Sequence, residues 1–285
     1  MSAESRSTQK LIGAARLAGT IELGGKRSVN RLGFGAMRIP GIRGEPKAAP
    51  DGHRVLRRAV ELGVNFIDTA HAYGASERLI GEALFPYPQD LVVATKCGFA
   101  GTDDARPEII GAQVERSLKL LRVERIDLLQ LHTVDPAVPI EESVGAMVEL
   151  QRQGKVDMIG VSNVSLVELA RARSVSEIVS VQNRYSLGDL RADDVLAECE
   201  RHGIAFLPYF PLGAGVLARS RELQRLADGH NATAAQVALA WLLQRSPMML
   251  PIPGTSSIPH LEENVAAAGL RLSTSDIRRL SAPIG

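Results

Sequence analysis

Cysteine is nearly absent. Cys97 and Cys199 are the only two in a chain of 285 residues, which excludes a disulfide framework, and a chain this long buries its core without one. Neither charge is in excess: 33 Lys and Arg stand against 32 Asp and Glu, a net +1 with His neutral. That balance excludes a strong basic field and with it the usual electrostatic footprint of a nucleic-acid binder. No apolar run approaches the roughly 18 residues of a membrane-spanning helix. Met1–Lys10 is polar and has no apolar h-region, so no secretory signal is expected and a cytoplasmic location is. The six His and two Cys show no metal-ligand spacing. No G-x-G-x-x-G opens a helix either. Gly33 and Gly35 lead instead into a turn-rich stretch with Pro40, Gly41, Gly44, Pro46 and Pro50, which counts against a doubly wound dinucleotide-binding sheet.

What is present is a repeat. At about 150 residues per domain, the length allows two small domains or one large α/β barrel. Leu32–Met37, Val64–Asp68, Leu91–Lys96, Ile126–His132, Val156–Val161, Ile178–Gln182, Ile204–Pro208 and Met249–Ile252 are short apolar runs without polar alternation. Parallel strands covered on both faces have that pattern. Helical patterns lie between them. Pro107–Leu121 puts Ile110, Val114, Leu118 and Leu121 on one face, and Ile140–Gln153 does the same with Ile140, Val144, Met147 and Leu150. Ser165 with Glu168, and Thr233 with Gln236, carry capping-box signatures. Thr233 also completes an Asn231-Ala-Thr sequon, for which the helix cap is the favoured reading. Gly19–Gly24 and Lys26–Asn30 flank Gly24-Gly25 as a β-hairpin ahead of the first barrel strand. No linker interrupts the repeat. The expected fold is therefore a single (β/α)8 TIM barrel over residues 19–285, its bottom closed by the hairpin, after a polar extension at 1–18.

Barrel active sites lie at the C-terminal strand ends. The second strand ends in Asp68, Tyr73 follows five residues later, the third ends in Lys96 and the fourth in His132. Singly, each has a plain structural explanation: a helix cap, a half-buried loop aromatic, a buried ion pair, a satisfied core histidine. Jointly, they are chemically complementary. A tyrosine has an ordinary pKa near 10, and an adjacent ammonium stabilises its phenolate. The aspartate keeps that lysine charged, and a histidine donates a hydrogen bond to a substrate oxygen. Such a set suits proton transfer to a carbonyl oxygen becoming an alkoxide. It holds no hydride, so a cofactor must supply one. A Schiff-base role for Lys96 in a barrel lyase or isomerase is the competing chemistry.

Asn65-Phe-Ile-Asp-Thr-Ala-His-Ala-Tyr-Gly followed by Ser76-Glu-Arg-Leu-Ile-Gly resembles the signature of the aldo-keto reductases. Thr95-Lys96-Cys97 and Gln130-Leu-His132 match that family's lysine and histidine segments in order and spacing. The resemblance runs from the hairpin to Asn264. It implies Tyr73 as general acid/base, Lys96 and Asp68 as the pair that tunes it, and His132 as the residue that orients the carbonyl. It also implies NADPH/NADP+, with NADH as the alternative, and reversible reduction of aldehydes or ketones to alcohols. A second reading the resemblance offers is a slow NADP(H)-binding regulatory subunit like those of potassium channels.

The same resemblance implies the cofactor contacts. Gly35, Ala36, Met37 and Asp68 lie at the first strand ends, Ser162, Asn163 and Gln182 would hold the nicotinamide carboxamide, and Tyr209 would stack on its ring. Phe210, Pro211, Leu212 and Gly213 follow, the last two along the pyrophosphate. Gly254, Thr255, Ser256, His260, Glu263 and Asn264 form the adenosine-phosphate segment. Three positions depart from the family pattern: Phe210 replaces a small serine, Gly254 a frequent lysine, and His260 a frequent arginine, which would grip a phosphate bidentately. Met37, Tyr73, Phe99 and His132 are the expected substrate pocket, with Arg38 near its mouth. The short stretch Ala214–Arg225 implies an open site. A monomer acting on a small carbonyl substrate, with no obligate protein partner, is expected.

Overall fold

A computed structural model describes residues 11–40, 49–99, 105–213, 217 and 220–281. An antiparallel hairpin comes first, β1 (Thr20–Leu23) and β2 (Arg27–Asn30). Its turn uses Gly24 and Gly25 at φ 55° and 63°, a left-handed backbone that glycine adopts at no steric cost. Seven parallel strands follow in sequence order: β3 (Phe34–Gly35), β4 (Phe66–Asp68), β5 (Val92–Cys97), β6 (Ile126–Leu131), β7 (Val156–Ser162), β8 (Ser180–Arg184) and β9 (Ala205–Tyr209). The helices between and after them are α1 (Ala49–Glu61), α2 (Ser76–Leu84), α3 (Pro107–Leu121), α4 (Ile140–Arg152), α5 (Leu166–Val175), α6 (Asp193–His202), α7 (Arg221–Gly229), α8 (Ala234–Arg245), α9 (Ile258–Ala266) and α10 (Thr274–Leu280).

The eighth expected strand, Met249–Ile252, closes the barrel without forming a regular ladder. It makes one parallel bridge, Met249 to Phe206. Phe206 donates to the Met248 carbonyl at 2.8 Å and receives from the Leu250 N–H at 2.9 Å. On its other edge Gly33 donates to Pro251 at 2.9 Å and Gly35 to Pro253 at 3.3 Å. Pro251 and Pro253 carry no N–H, so the pairing cannot be completed from this side. The first strand is also shorter than expected. Ala36–Arg38 turns into a 3-10 helix instead of extending β3.

Three layers of apolar packing hold the fold. Inside the barrel, Phe66, Val92, Leu128, Met158, Leu207 and Leu250 pack together, and Ile21, Leu23 and Val29 of the hairpin seal them from below. Outside, the apolar stripes of α3 and α4 are buried as their periodicity demands, each such side chain contributing roughly 1.5–3 kcal/mol. Helix α3 spans the expected residues and ends at Arg122 in a left-handed conformation. Both expected capping boxes form, Ser165–Glu168 on α5 and Thr233–Gln236 on α8. Of the 1–18 extension, the described part is packed: Ala14–Ala18 is a 3-10 helix with Ala14, Ala15 and Ala18 buried. No helix among the described residues is long and apolar enough to cross a membrane.

Candidate active site

The loop between β4 and α2 is tied down along its length. Thr69 donates to the Ala94 carbonyl at 2.8 Å, His71 to Lys96 at 3.0 Å, and Tyr73 to Ala70 at 3.0 Å. Buried side chains add to this. Thr69 Oγ1 donates to Ser76 Oγ at 2.8 Å, Ser76 Oγ donates to the Ala36 carbonyl at 3.1 Å, and Thr95 Oγ1 donates to Glu77 Oε1 at 2.6 Å. Tyr73 is thereby fixed against the strands that carry Asp68 and Lys96. Asp68 does not cap α2, whose N-terminus at Ala75 has no side-chain cap.

Lys96 is wholly buried inside the barrel. Its Nζ donates to Asp68 Oδ1 at 2.7 Å, to Oδ2 at 2.6 Å and to the Thr69 carbonyl at 2.9 Å. Burial pulls the ammonium's pKa down, yet Asp68 and Tyr73 more than offset it and hold it above the ordinary lysine value. The same Nζ lies 5.1 Å from the centre of the Tyr73 ring. The Tyr73 ring meets that of His132 edge-on, 5.7 Å between centres, and Phe99 meets His132 at 4.8 Å. The four expected residues do converge on one rim.

Their electrostatics differ in one respect from expectation. Burial raises the Tyr73 pKa, and the lowering by Lys96 does not overcome it. A neutral phenol is therefore the resting form, which is the form that donates a proton. His132 is pushed down to about 3, by burial first and Lys96 second. It is a neutral imidazole, able to donate one N–H and accept at its other nitrogen.

Next to this set stands a cluster of amides. Ser162 Oγ donates to the Gln182 carbonyl at 2.7 Å, and Asn163 Nδ2 donates to Ser162 Oγ at 3.1 Å and to the His132 carbonyl at 2.9 Å. Tyr209 Oη donates to Asn163 Oδ1 at 2.7 Å. Asn163 and Phe210 both sit at positive φ, 57° and 50°, a conformation that asparagine adopts more readily than most residues and that is a genuine outlier for a bulky aromatic. The Phe210 ring contacts Tyr209 at 5.4 Å and lies under the Arg184 guanidinium at 5.9 Å. Pro211 is buried, and Gly213 turns back to the Phe210 carbonyl at 2.8 Å. Met37 and Phe99 are exposed, at 40% and 46%.

Gly35 and Gly254 cross closely, since a Cβ on Gly254 would lie 2.6 Å from the Gly35 carbonyl. Thr255 Oγ1 accepts the Ser257 N–H at 3.0 Å, and Ser257 starts α9 without a side-chain cap. That leaves first-turn N–H groups for an anion. Ser256 is half-buried, His260 exposed and Asn264 buried. Glu263 Oε1 accepts from Thr233 Oγ1 at 2.6 Å, tying α9 to the cap of α8. Of the stretch Ala214–Arg225, residues 214–216, 218 and 219 fall outside the described residues.

Two hydrogen bonds of this site escaped the sequence reading. Gln130 Nε2 donates to Asp68 Oδ1 at 3.1 Å, and Gln182 Nε2 to the same oxygen at 2.8 Å. Gln182 was expected only at the carboxamide, and Gln130 only as part of a motif. A signal existed: Gln130 is two residues before His132, hence on the same inward face of its strand. Cavities of about 300 Å³ beside Arg173 and His202, and of about 250 Å³ beside Arg27 and Arg125, lie at the opposite strand ends and share no residue with this cluster.

A flat aromatic beside paired amides and a hydroxyl, with an open helix N-terminus across the mouth, fits a carboxamide-bearing nicotinamide dinucleotide. Comparison with known proteins agrees. Residues 31–283 match the model of the aldo/keto reductase family. The chain is 44% identical over 266 residues to pyridoxine 4-dehydrogenase of Escherichia coli, covering 87% of this chain and 93% of that protein. It is 42% identical over 277 residues to an uncharacterized oxidoreductase of Schizosaccharomyces pombe, covering 93% and 90%. An aldo/keto reductase of Klebsiella pneumoniae, crystallised with NADP and acetate, superposes with a TM-score of 0.82 at 27% identity, covering 92% and 93%.

Proposed function

The chain belongs to the aldo/keto reductase family and is an NAD(P)H-dependent oxidoreductase; from that premise, we propose that it reduces small aldehydes and ketones to alcohols with NADPH and with Tyr73 as the acid. The observation that carries this reading is the buried Asp68–Lys96 pair lying 5.1 Å under the ring of a tyrosine that rests in its neutral form. A bound reduced nicotinamide supplies the hydride to the carbonyl carbon. Tyr73 Oη gives its proton to the carbonyl oxygen as negative charge develops there. Lys96 stabilises the phenolate left behind, and Asp68 keeps Lys96 charged throughout. His132, neutral, donates an N–H to the same oxygen and aims it at Tyr73. General-acid action of this kind is worth about 10²–10⁴-fold in rate.

Ser162, Asn163 and Gln182 would hold the carboxamide, and Tyr209 the ring face. The Leu212-Gly213 backbone and the N-terminus of α9, with Thr255 and Ser256, would meet the phosphates. His260 in place of an arginine makes the preference for NADPH over NADH modest. The exposed Met37 and Phe99 favour an apolar or aromatic carbonyl substituent, and pyridoxal, suggested by the name of one relative, belongs in the panel. The test is purified protein with NADPH or NADH against 4-nitrobenzaldehyde, pyridoxal and aliphatic aldehydes. Turnover with at least one carbonyl is expected. Tight NADPH binding with negligible turnover across the panel contradicts this reading and favours a regulatory subunit.

A further inference from the structure

A row of inward-facing positions crosses the barrel directly beneath the proton-transfer set. Register places Lys96 beside Gln130, Gln130 beside Gly160, and Gly160 beside Ser180. Gln130 is fully buried. Its Nε2 donates to Asp68 Oδ1 at 3.1 Å, and its Oε1 accepts from Ser180 Oγ at 3.4 Å. The barrel is shaped to admit it. A Cβ on Gly160 would fall 2.1 Å from Ser180 Oγ and 3.1 Å from Gln130 Cγ. The interior positions one step further down, Leu128 and Met158, are apolar, and a methionine would fill this space without the cost of burying an amide.

The structure assigns Gln130 as a positioning residue for proton transfer: by holding Asp68 Oδ1 it holds Lys96 Nζ, and so sets the ammonium beneath the Tyr73 ring. This rests on the reading of Tyr73 as the acid. Asp68 Oδ1 takes bonds from Lys96, Gln130 and Gln182 at 2.7, 3.1 and 2.8 Å. The two neutral amides take up part of the carboxylate's charge and fix its orientation. The ammonium is then left less fully spent on its counter-ion and more available to the phenolate. Gln130 reaches the expected cofactor residues only through Asp68 Oδ1, which it shares with Gln182, so its main effect falls on the chemical step.

Two variants of the full chain test this with saturating NADPH and the best aldehyde of the panel. Gln130→Met keeps the shape and removes the donor. One net hydrogen bond corresponds to a fall in kcat of roughly 3- to 10-fold, with the KM for NADPH unchanged within about 2-fold. Gln130→Glu keeps the bond only while the new carboxyl is protonated. Two carboxyls about 3 Å apart share a proton and release it at a raised apparent pKa. Its kcat should approach the wild-type value near pH 5 and fall as pH rises through neutrality, where wild type is flat. That pH-dependent rescue is not what lost packing produces. Wild-type kcat in folded Gln130→Met, or a flat profile in folded Gln130→Glu, overturns the proposal, and either variant decides alone if the other does not fold. Tyr73→Phe keeps the two readings apart. If it turns over like wild type, the acid assignment fails; if it is dead while both Gln130 variants behave as wild type, only the role of Gln130 fails.

Discussion

Replacing Asp68 by Asn removes the counter-ion of an ammonium that has no other ionic partner among the described residues. Lys96 Nζ is wholly enclosed, with Asp68 at 2.6 and 2.7 Å and the Thr69 carbonyl at 2.9 Å. Breaking one partner out of such a pair costs about 3–5 kcal/mol. The Thr69 carbonyl and the new amide oxygen still accept from Nζ, which points to the lower figure. For a chain of this size, about 3 kcal/mol is a drop in Tm of roughly 6–12 °C. The loss has a pH signature. Without the carboxylate, burial, the largest influence on Lys96, is opposed only by Tyr73, and the folded pKa should fall below the unfolded value of about 10.4. The unfolded chain then binds the proton more tightly, so the variant gains stability as pH rises toward that value. In wild type the folded pKa is raised, so this contribution is intact up to the unfolded value and is lost only above it. The gap between the two proteins therefore narrows from about pH 7 to pH 9.5. Urea denaturation at both pH values reads it. Asp68→Asn with Lys96→Met should recover most of the loss, since neutral replacement of both partners is often tolerated. A single variant within about 1 kcal/mol of wild type at pH 7, or a gap that widens with pH, refutes this account of the pair.

Because burial pushes His132 down to about 3, kcat for aldehyde reduction should be flat from about pH 5.5 to 8, and a limb near the ordinary histidine value of about 6.5 contradicts its neutral role. The same depressed value makes folding lose stability below the unfolded histidine pKa, so acid denaturation of His132→Gln should be shallower than that of wild type. Gly160→Ala puts a methyl 2.1 Å from Ser180 Oγ and should cost about 1–3 kcal/mol in chemical denaturation. His260→Arg should tighten NADPH by about 10-fold in a fluorescence titration and leave NADH unchanged, since a bidentate phosphate contact is the only interaction added.

The helices were legible where a local period sufficed. Ile110, Val114, Leu118 and Leu121 mark one face of α3, and Ser165 and Thr233 announce their helices through the residue three places on. Asp68, Lys96 and His132 were legible because strand ends in a barrel share one rim. What stayed hidden depends on partners far away in sequence. The segment Met249–Ile252 has a strand's apolarity, but Pro251 and Pro253 break the ladder on its edges. The bond from Thr233 to Glu263 at 2.6 Å joins residues thirty places apart, which no local pattern announces. Gln130 is visible in sequence only as part of the histidine-segment motif, and it is the register that sets it beside Gly160 and within reach of Asp68. The Tyr73 pKa could not be signed from Lys96 alone, because burial is the larger cause.

The most direct test of the central claim is a single turnover with preformed NADPH complexes of wild type and Tyr73→Phe, mixed with an aldehyde that wild type reduces. The variant lacks only the hydroxyl, so cofactor binding should be unchanged while the rate of NADPH oxidation falls by about 10²–10⁴-fold. Equal single-turnover rates in the two proteins would contradict the assignment of Tyr73 as the proton donor.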